Sequence, residues 1–80
     1  MQNKLIIFSA SWCRPCQRLK KNLEGLDNIV QYDIDIHREK AIEWKVDAVP
    51  TIILVNHKNQ ELRRLLGTQT REKLIELLDE

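Results

Sequence analysis

Apolar and polar positions alternate along the chain with three different periods, and each period predicts an element. Leu5-Ile6-Ile7-Phe8 is a continuous apolar run, which predicts a strand buried on both faces and therefore central in its sheet. From Arg14 to about residue 24 the apolar positions are Cys16, Leu19 and Leu23, followed by Leu26. Steps of three and four predict an amphipathic helix, with Gly25 as its stop. Residues 29–36 alternate, with Val30, Tyr32, Ile34 and Ile36 on one face and Gln31, Asp33 and Asp35 on the other. A short helix is expected over 38–45, with Ala41 and Ile42 turned inward, and Asp47-Ala48-Val49-Pro50 ends it.

Thr51-Ile52-Ile53-Leu54-Val55 is a second fully apolar run, again read as a buried strand. The polar stretch Asn56-His57-Lys58-Asn59-Gln60 predicts a tight turn, and residues 61–66 return as a strand. Gly67 punctuates, and Thr70 is positioned to cap a last helix carrying Leu74, Ile75, Leu77 and Leu78. The order β-α-β-α-β-β-α defines an α/β fold. Its first β-α-β unit closes right-handed with parallel strands, and its terminal hairpin is antiparallel. The expected architecture is a four-stranded mixed sheet with helices on both faces, forming one domain over 1–80.

Composition narrows the classes of function. Eighty residues carry 13 basic and 12 acidic side chains, a formal charge of +1. That balance argues against nucleic acid as a partner. A hydrophobic fraction of 42% with 31% charged residues is ordinary for a folded domain. The apolar run near the N-terminus is four residues long, too short for a signal-peptide core or a membrane span. A cytoplasmic setting with no membrane partner is the expectation. Arg14, Arg18, Lys20 and Lys21 form a basic stretch, read as a solvated helix face or as a rim that favours acidic partners.

The chain has two cysteines, in the stretch Cys13-Arg14-Pro15-Cys16 at a strand-to-helix junction. Free backbone N–H groups at a helix start favour an anion, and the thiolate is the nucleophile of thiol–disulfide exchange. Pro15 near the first helical position costs no hydrogen bond and presets a helical φ. Cys16, one turn inside, is expected to be the less exposed sulfur and to resolve a mixed disulfide formed at Cys13. Other readings of the pair stand beside this one. A structural disulfide closing so small a ring constrains the unfolded chain little. A metal site would need two further ligands, and His37 and His57 lie 21 and 41 residues beyond Cys16. A coincidental pair of core cysteines is the third. A C-x-x-C inside a β-α-β unit is the pattern of a redox pair, and no metal is expected.

Ser11-Trp12-Cys13-Arg14-Pro15-Cys16, with Val49-Pro50-Thr51 downstream and Gly67 before the last helix, resembles the thioredoxin family. The likeness spans nearly the whole chain but lacks the β-α unit that precedes the central strand in full-length thioredoxins, which implies that the strand over 29–36 lies at the edge of the sheet, where Asp33 and Asp35 would blunt pairing with another chain. It implies a minimal thioredoxin fold like that of short thioredoxins and glutaredoxin-like proteins. It further implies Cys13 as nucleophile, Cys16 as resolving thiol and Pro50 as a cis-proline facing the disulfide. Trp12, Val49, Pro50, Thr51 and Gly67 would form the substrate-binding rim, with the backbone of Val49 pairing with an extended substrate chain. The implied activity is reduction of protein disulfides by a monomer with no bound cofactor beyond the redox-active disulfide Cys13-Cys16. The implied electron donor is an NADPH-linked disulfide reductase or glutathione.

Two departures from the family pattern bear on the chemistry. The buried acid expected six residues before the first cysteine is Ile7, and its lysine partner on the next strand is Gln31. The residue after the first cysteine, usually Gly, is Arg14, which with Pro15 tunes the thiol. A cation beside the sulfur favours the thiolate and raises the reduction potential. Two other functions remain open: a glutathione-dependent glutaredoxin-like reductase and a thiol-independent scaffold subunit. Gly67-Thr68-Gln69-Thr70 has one glycine and no acid, which weakens the case for a glutathione site.

Overall fold

A computed structural model describes residues 2–80. The first apolar run lies in β1 (Lys4–Ser9), with Leu5, Ile6, Ile7 and Phe8 all buried. β1 is paired on both sides: parallel to β2 (Ile29–Asp33) and antiparallel to β3 (Thr51–Val55). β4 (Glu61–Leu66) runs antiparallel to β3, so the sheet order is β2-β1-β3-β4. Between the strands lie α1 (Arg14–Leu23) and α2 (Arg38–Glu43), and α3 (Arg71–Leu78) follows β4. This is the expected order of elements.

The period of two sorts the central strands into two cores. Leu5, Ile7, Ile52 and Leu54 pack with Leu19 and Leu23 of α1 and Leu74 and Leu77 of α3. Ile6, Phe8, Ile53 and Val55 face the other way, against Tyr32, Ile34, Ala41, Trp44 and Val46. Continuous apolar runs are thus what a strand covered on both faces requires. Gly25, at φ +77°, ends the α1 turn, and the Thr70 hydroxyl accepts the Lys73 N–H at 3.1 Å to cap α3.

Two expectations are corrected. The strand expected over 29–36 stops at Asp33. There the Asp33 carboxylate accepts the Asp35 N–H at 2.8 Å, and the Asp33 carbonyl accepts the N–H groups of Ile36 and His37. An aspartate offering its own backbone a local acceptor makes a turn, so although Ile34 still packs inward beside Tyr32, the alternation fails at Ile36, which is exposed. The second helix is shorter than expected and Ile42 is 77% exposed, not inward. Six helical residues present one narrow stripe, and Ala41 within the helix and Trp44 at its C-cap, three apart, pack on the second core. Arg64 of β4 fastens the end of this helix by donating to the carbonyls of Trp44 (2.8 Å) and Lys45 (3.4 Å). The same guanidinium grips both oxygens of Glu61 at 2.9 Å and holds that carboxyl below its usual range.

Among the described residues β2 pairs only with β1, which makes it the expected edge strand. Alternate amides of residues 29–33 point away from β1 and should exchange rapidly with solvent in a dilute sample, while their neighbours are protected. Uniform protection along the strand would mean that another segment covers it. Asp35 is no guard of this edge, since it lies beyond the strand.

Candidate active site

The site is assembled where β1 hands the chain to α1. Cys13 caps the helix, with φ −95° and ψ 113°, and its N–H donates to the Ala10 carbonyl at 3.2 Å. Its Sγ accepts the Cys16 N–H at 3.3 Å. A sulfur in this position meets backbone donors that the first turn of any helix leaves free, and these favour negative charge on it. Cys13 and Cys16 form a disulfide with Cα atoms 5.2 Å apart, an ordinary separation for such a bond. The backbone of one helical turn therefore accommodates the bonded pair.

Both sulfur-bearing residues are buried, Cys13 at 6% exposure and Cys16 at 5%. The expected difference in exposure is therefore not a feature of the oxidised pair. Ala10 is buried with them, and Ile34 and Val49 pack against the cluster. Val49 leads into Pro50 through a cis peptide bond, as the family resemblance implies. The Pro50 carbonyl accepts the Gly67 N–H at 2.9 Å, drawing the loop after β4 onto this one. Thr68 reaches across from that loop, and its hydroxyl donates to the Pro15 carbonyl at 2.6 Å. Thr51 is 1% exposed, and its hydroxyl donates to the Ala48 carbonyl at 2.6 Å. Its part in the site is to hold the loop from beneath.

Trp12 stands outside this cluster at 66% exposure, with its indole N–H donating to Asp35 Oδ2 at 2.9 Å. The residues singled out from sequence are thus gathered from three segments: 12–16, 49–51 and Gly67. Arg14 is exposed at the first helical position. Sequence reasoning missed Ile34, Asp35 and Thr68. Asp35 and Trp12 are 23 residues apart, and Thr68 and Pro15 are 53 apart, so no local signal joins them. Leu66, 62% exposed beside Gly67, adds an apolar surface that the strand pattern did not flag.

Among the described residues no group of three or more His, Cys, Asp or Glu side chains is placed to hold a metal ion, and no helix is long and apolar enough to cross a membrane. A vicinal dithiol at a helix start, beside a partly apolar rim, can exchange one disulfide for another.

Comparison with known proteins agrees with the geometry. The family model described as Thioredoxin matches residues 1–80. A thioredoxin of Staphylococcus aureus is 31% identical over 83 residues, covering 95% of this chain and 79% of its own length. Among solved structures, a mutant thioredoxin from Halobacterium salinarum superposes with a TM-score of 0.85 at 28% identity, over 96% of this chain and 72% of that one. Fasciola hepatica thioredoxin gives 0.85 at 26% identity, over 98% and 79%. With Cys13 capping α1 and bonded to Cys16, and with the family model and these relatives matching nearly the whole chain, the chain belongs to the thioredoxin family and is a thiol–disulfide oxidoreductase.

Proposed function

We propose that the chain works as a reductant of protein disulfides, with Cys13 as nucleophile and Cys16 as resolving thiol. The observation that carries the assignment is the Cys13 Sγ at the helix cap, accepting the Cys16 N–H. The Cys13 thiolate attacks one sulfur of a substrate disulfide, and the other substrate sulfur leaves as a thiolate. Cys16 then attacks the Cys13 Sγ, which forms the Cys13–Cys16 disulfide and releases the second substrate thiolate. Two electrons pass to the substrate, and the dithiol is oxidised. Arg14 beside the sulfur favours the thiolate of the reduced form.

Substrate would lie as an extended chain over Trp12, Val49 and the Gly67 loop, with Pro50 and Thr51 shaping the floor. Among the described residues neither the N–H nor the C=O of Val49 has a backbone partner, so both are available to such a chain. The donor proposed is an NADPH-linked disulfide reductase. A glutathione-driven reaction is the second reading, and the engagement of the Thr68 hydroxyl by Pro15 gives it no support. The reducing direction suits a monomer in the cytoplasm that needs no bound cofactor.

The test is turnover. The reduced chain should reduce a disulfide-bonded protein stoichiometrically, and an NADPH-linked reductase should make the reaction catalytic. Turnover with glutathione alone would favour the glutaredoxin-like reading. Failure of the stoichiometric reaction would leave only a scaffold role.

A further inference from the structure

Cys16 has a second environment that Cys13 does not share. A cleft of about 440 Å³ opens between α1 and the β1–β2 side of the sheet, and Cys16 lines it while Cys13 does not. Ser9, Lys20, Gln31 and Asp33 supply polar lining, and Ile7 lies at its floor. The register explains the grouping. Ile7 is paired with Gln31 and Ser9 with Asp33, so these residues follow Leu5 and Ile29 along the face that α1 covers. The polar side of β2, with Gln31 exposed and Asp33 half-buried, walls a cleft that Cys16 also lines.

A buried thiol is a poor nucleophile until its proton leaves, and burial in apolar surroundings makes that harder. Cys16 is 5% exposed, so its proton needs an acceptor or a path to one. The position before it on β1, Ile7, cannot act. The titratable groups of the cleft besides Cys16 are Lys20 from α1 and Tyr32 and Asp33 from β2; β1 contributes none. An ammonium accepts no proton. The Tyr32 ring stacks on Phe8 at 5.5 Å and meets His37 edge-on, which commits it to the other core. Asp33 is the one carboxylate of the lining. Its Oδ1 accepts the Asp35 N–H, and among the described residues its Oδ2 has no partner. An opening of this size with Ser9, Lys20, Gln31 and Asp33 on its wall offers water the polar partners it needs.

We propose that Asp33, acting through water in this cleft, is the proton acceptor for Cys16 in the second step. The inference rests on the dithiol reading above. As the Cys16 sulfur bonds to the Cys13 sulfur, its proton passes through water to the Asp33 carboxylate. The bond between Cys13 and the substrate sulfur breaks, and that sulfur leaves with the electron pair and is protonated from Asp33 or solvent. Lys20 across the cleft favours the negative charge that passes through it.

Asp33→Asn tests this, because the amide oxygen can still accept the Asp35 N–H. The reduced protein is mixed with a stoichiometric amount of a symmetric aromatic disulfide whose thiolate absorbs visible light. The first thiolate released reports attack by Cys13, and the second reports resolution by Cys16. Near neutral pH the variant should keep the first phase and slow the second by about 10²-fold, the lower end for a positioned general base. The two proteins should converge as pH rises past about 8.5, where solvent removes a free thiol proton unaided. An unchanged second phase at every pH, or equal slowing of both phases, would overturn the role of Asp33. A wild-type protein that releases no first thiolate would instead overturn the dithiol reading itself.

Discussion

Cys16→Ser should accumulate as a one-to-one covalent adduct with its disulfide substrate, and Cys13→Ser should lose reduction to the uncatalysed rate. The two outcomes differ because the sulfurs occupy different places in one helical turn. Removing Cys16 leaves the capping sulfur and its backbone donor side intact, so attack proceeds and resolution cannot. Removing Cys13 leaves one sulfur inside the helix, away from the cap position whose free N–H groups favour a thiolate, so the attacking group is lost. Mass analysis of the incubation mixtures checks both results at once. Substrate turnover by the Cys13→Ser protein, or an adduct formed through Cys16, would contradict the division of roles.

Phe8→Ala should cost the oxidised protein about 3–5 kcal/mol, the range for emptying a buried aromatic site. Phe8 is 0% exposed on the central strand, packed with Ile6, Ile53 and Val55 and stacked on Tyr32. Ile6, Ile53 and Val55 lie on strands paired on both sides, which limits their collapse into the void. A domain of this size has a total stability of roughly 4–12 kcal/mol. The loss therefore removes a large share of it, and each kcal/mol lowers the midpoint of thermal unfolding by about 4–8 °C. Denaturant titration of the two proteins measures the difference. A cost below about 1 kcal/mol would show that the second core is looser than its burial implies.

The parts of the fold legible in sequence are those set by unbroken or strictly periodic burial. Leu5-Ile6-Ile7-Phe8 and Thr51-Ile52-Ile53-Leu54-Val55 read as central strands because only a strand covered on both faces wants that pattern. Cys16, Leu19 and Leu23 located α1 and its inward stripe for the same reason. Alternation is weaker evidence. Beyond Asp33 an aspartate turn takes over the backbone, so Ile34 still packs inward but Ile36 does not, and Ile42 is apolar yet faces out.

The site was legible where local chemistry carries it. Cys13, Pro15 and Cys16 follow from the requirements of a helix start, whereas Val49, Pro50, Thr51 and Gly67 came from family likeness and meet through the Gly67-to-Pro50 hydrogen bond. Contacts between distant segments left no trace in the pattern, and the Trp12–Asp35 bond is one example. The cleft beneath Cys16 is another. Gln31 and Asp33 look like an ordinary solvated strand face until the register sets them beside Ile7 and Ser9 on the wall of a cleft that Cys16 also lines.

The central claim is that Cys13 is the reactive sulfur, because it caps the helix whose free N–H groups favour a thiolate. Limited alkylation tests it most directly. The reduced protein is treated near neutral pH with less than one equivalent of a thiol-alkylating reagent, and the label is mapped by peptide mass. The account predicts label on Cys13, with a thiol pKa depressed below the free value of about 8.5. Label found first on Cys16, or divided equally between the two, would contradict it.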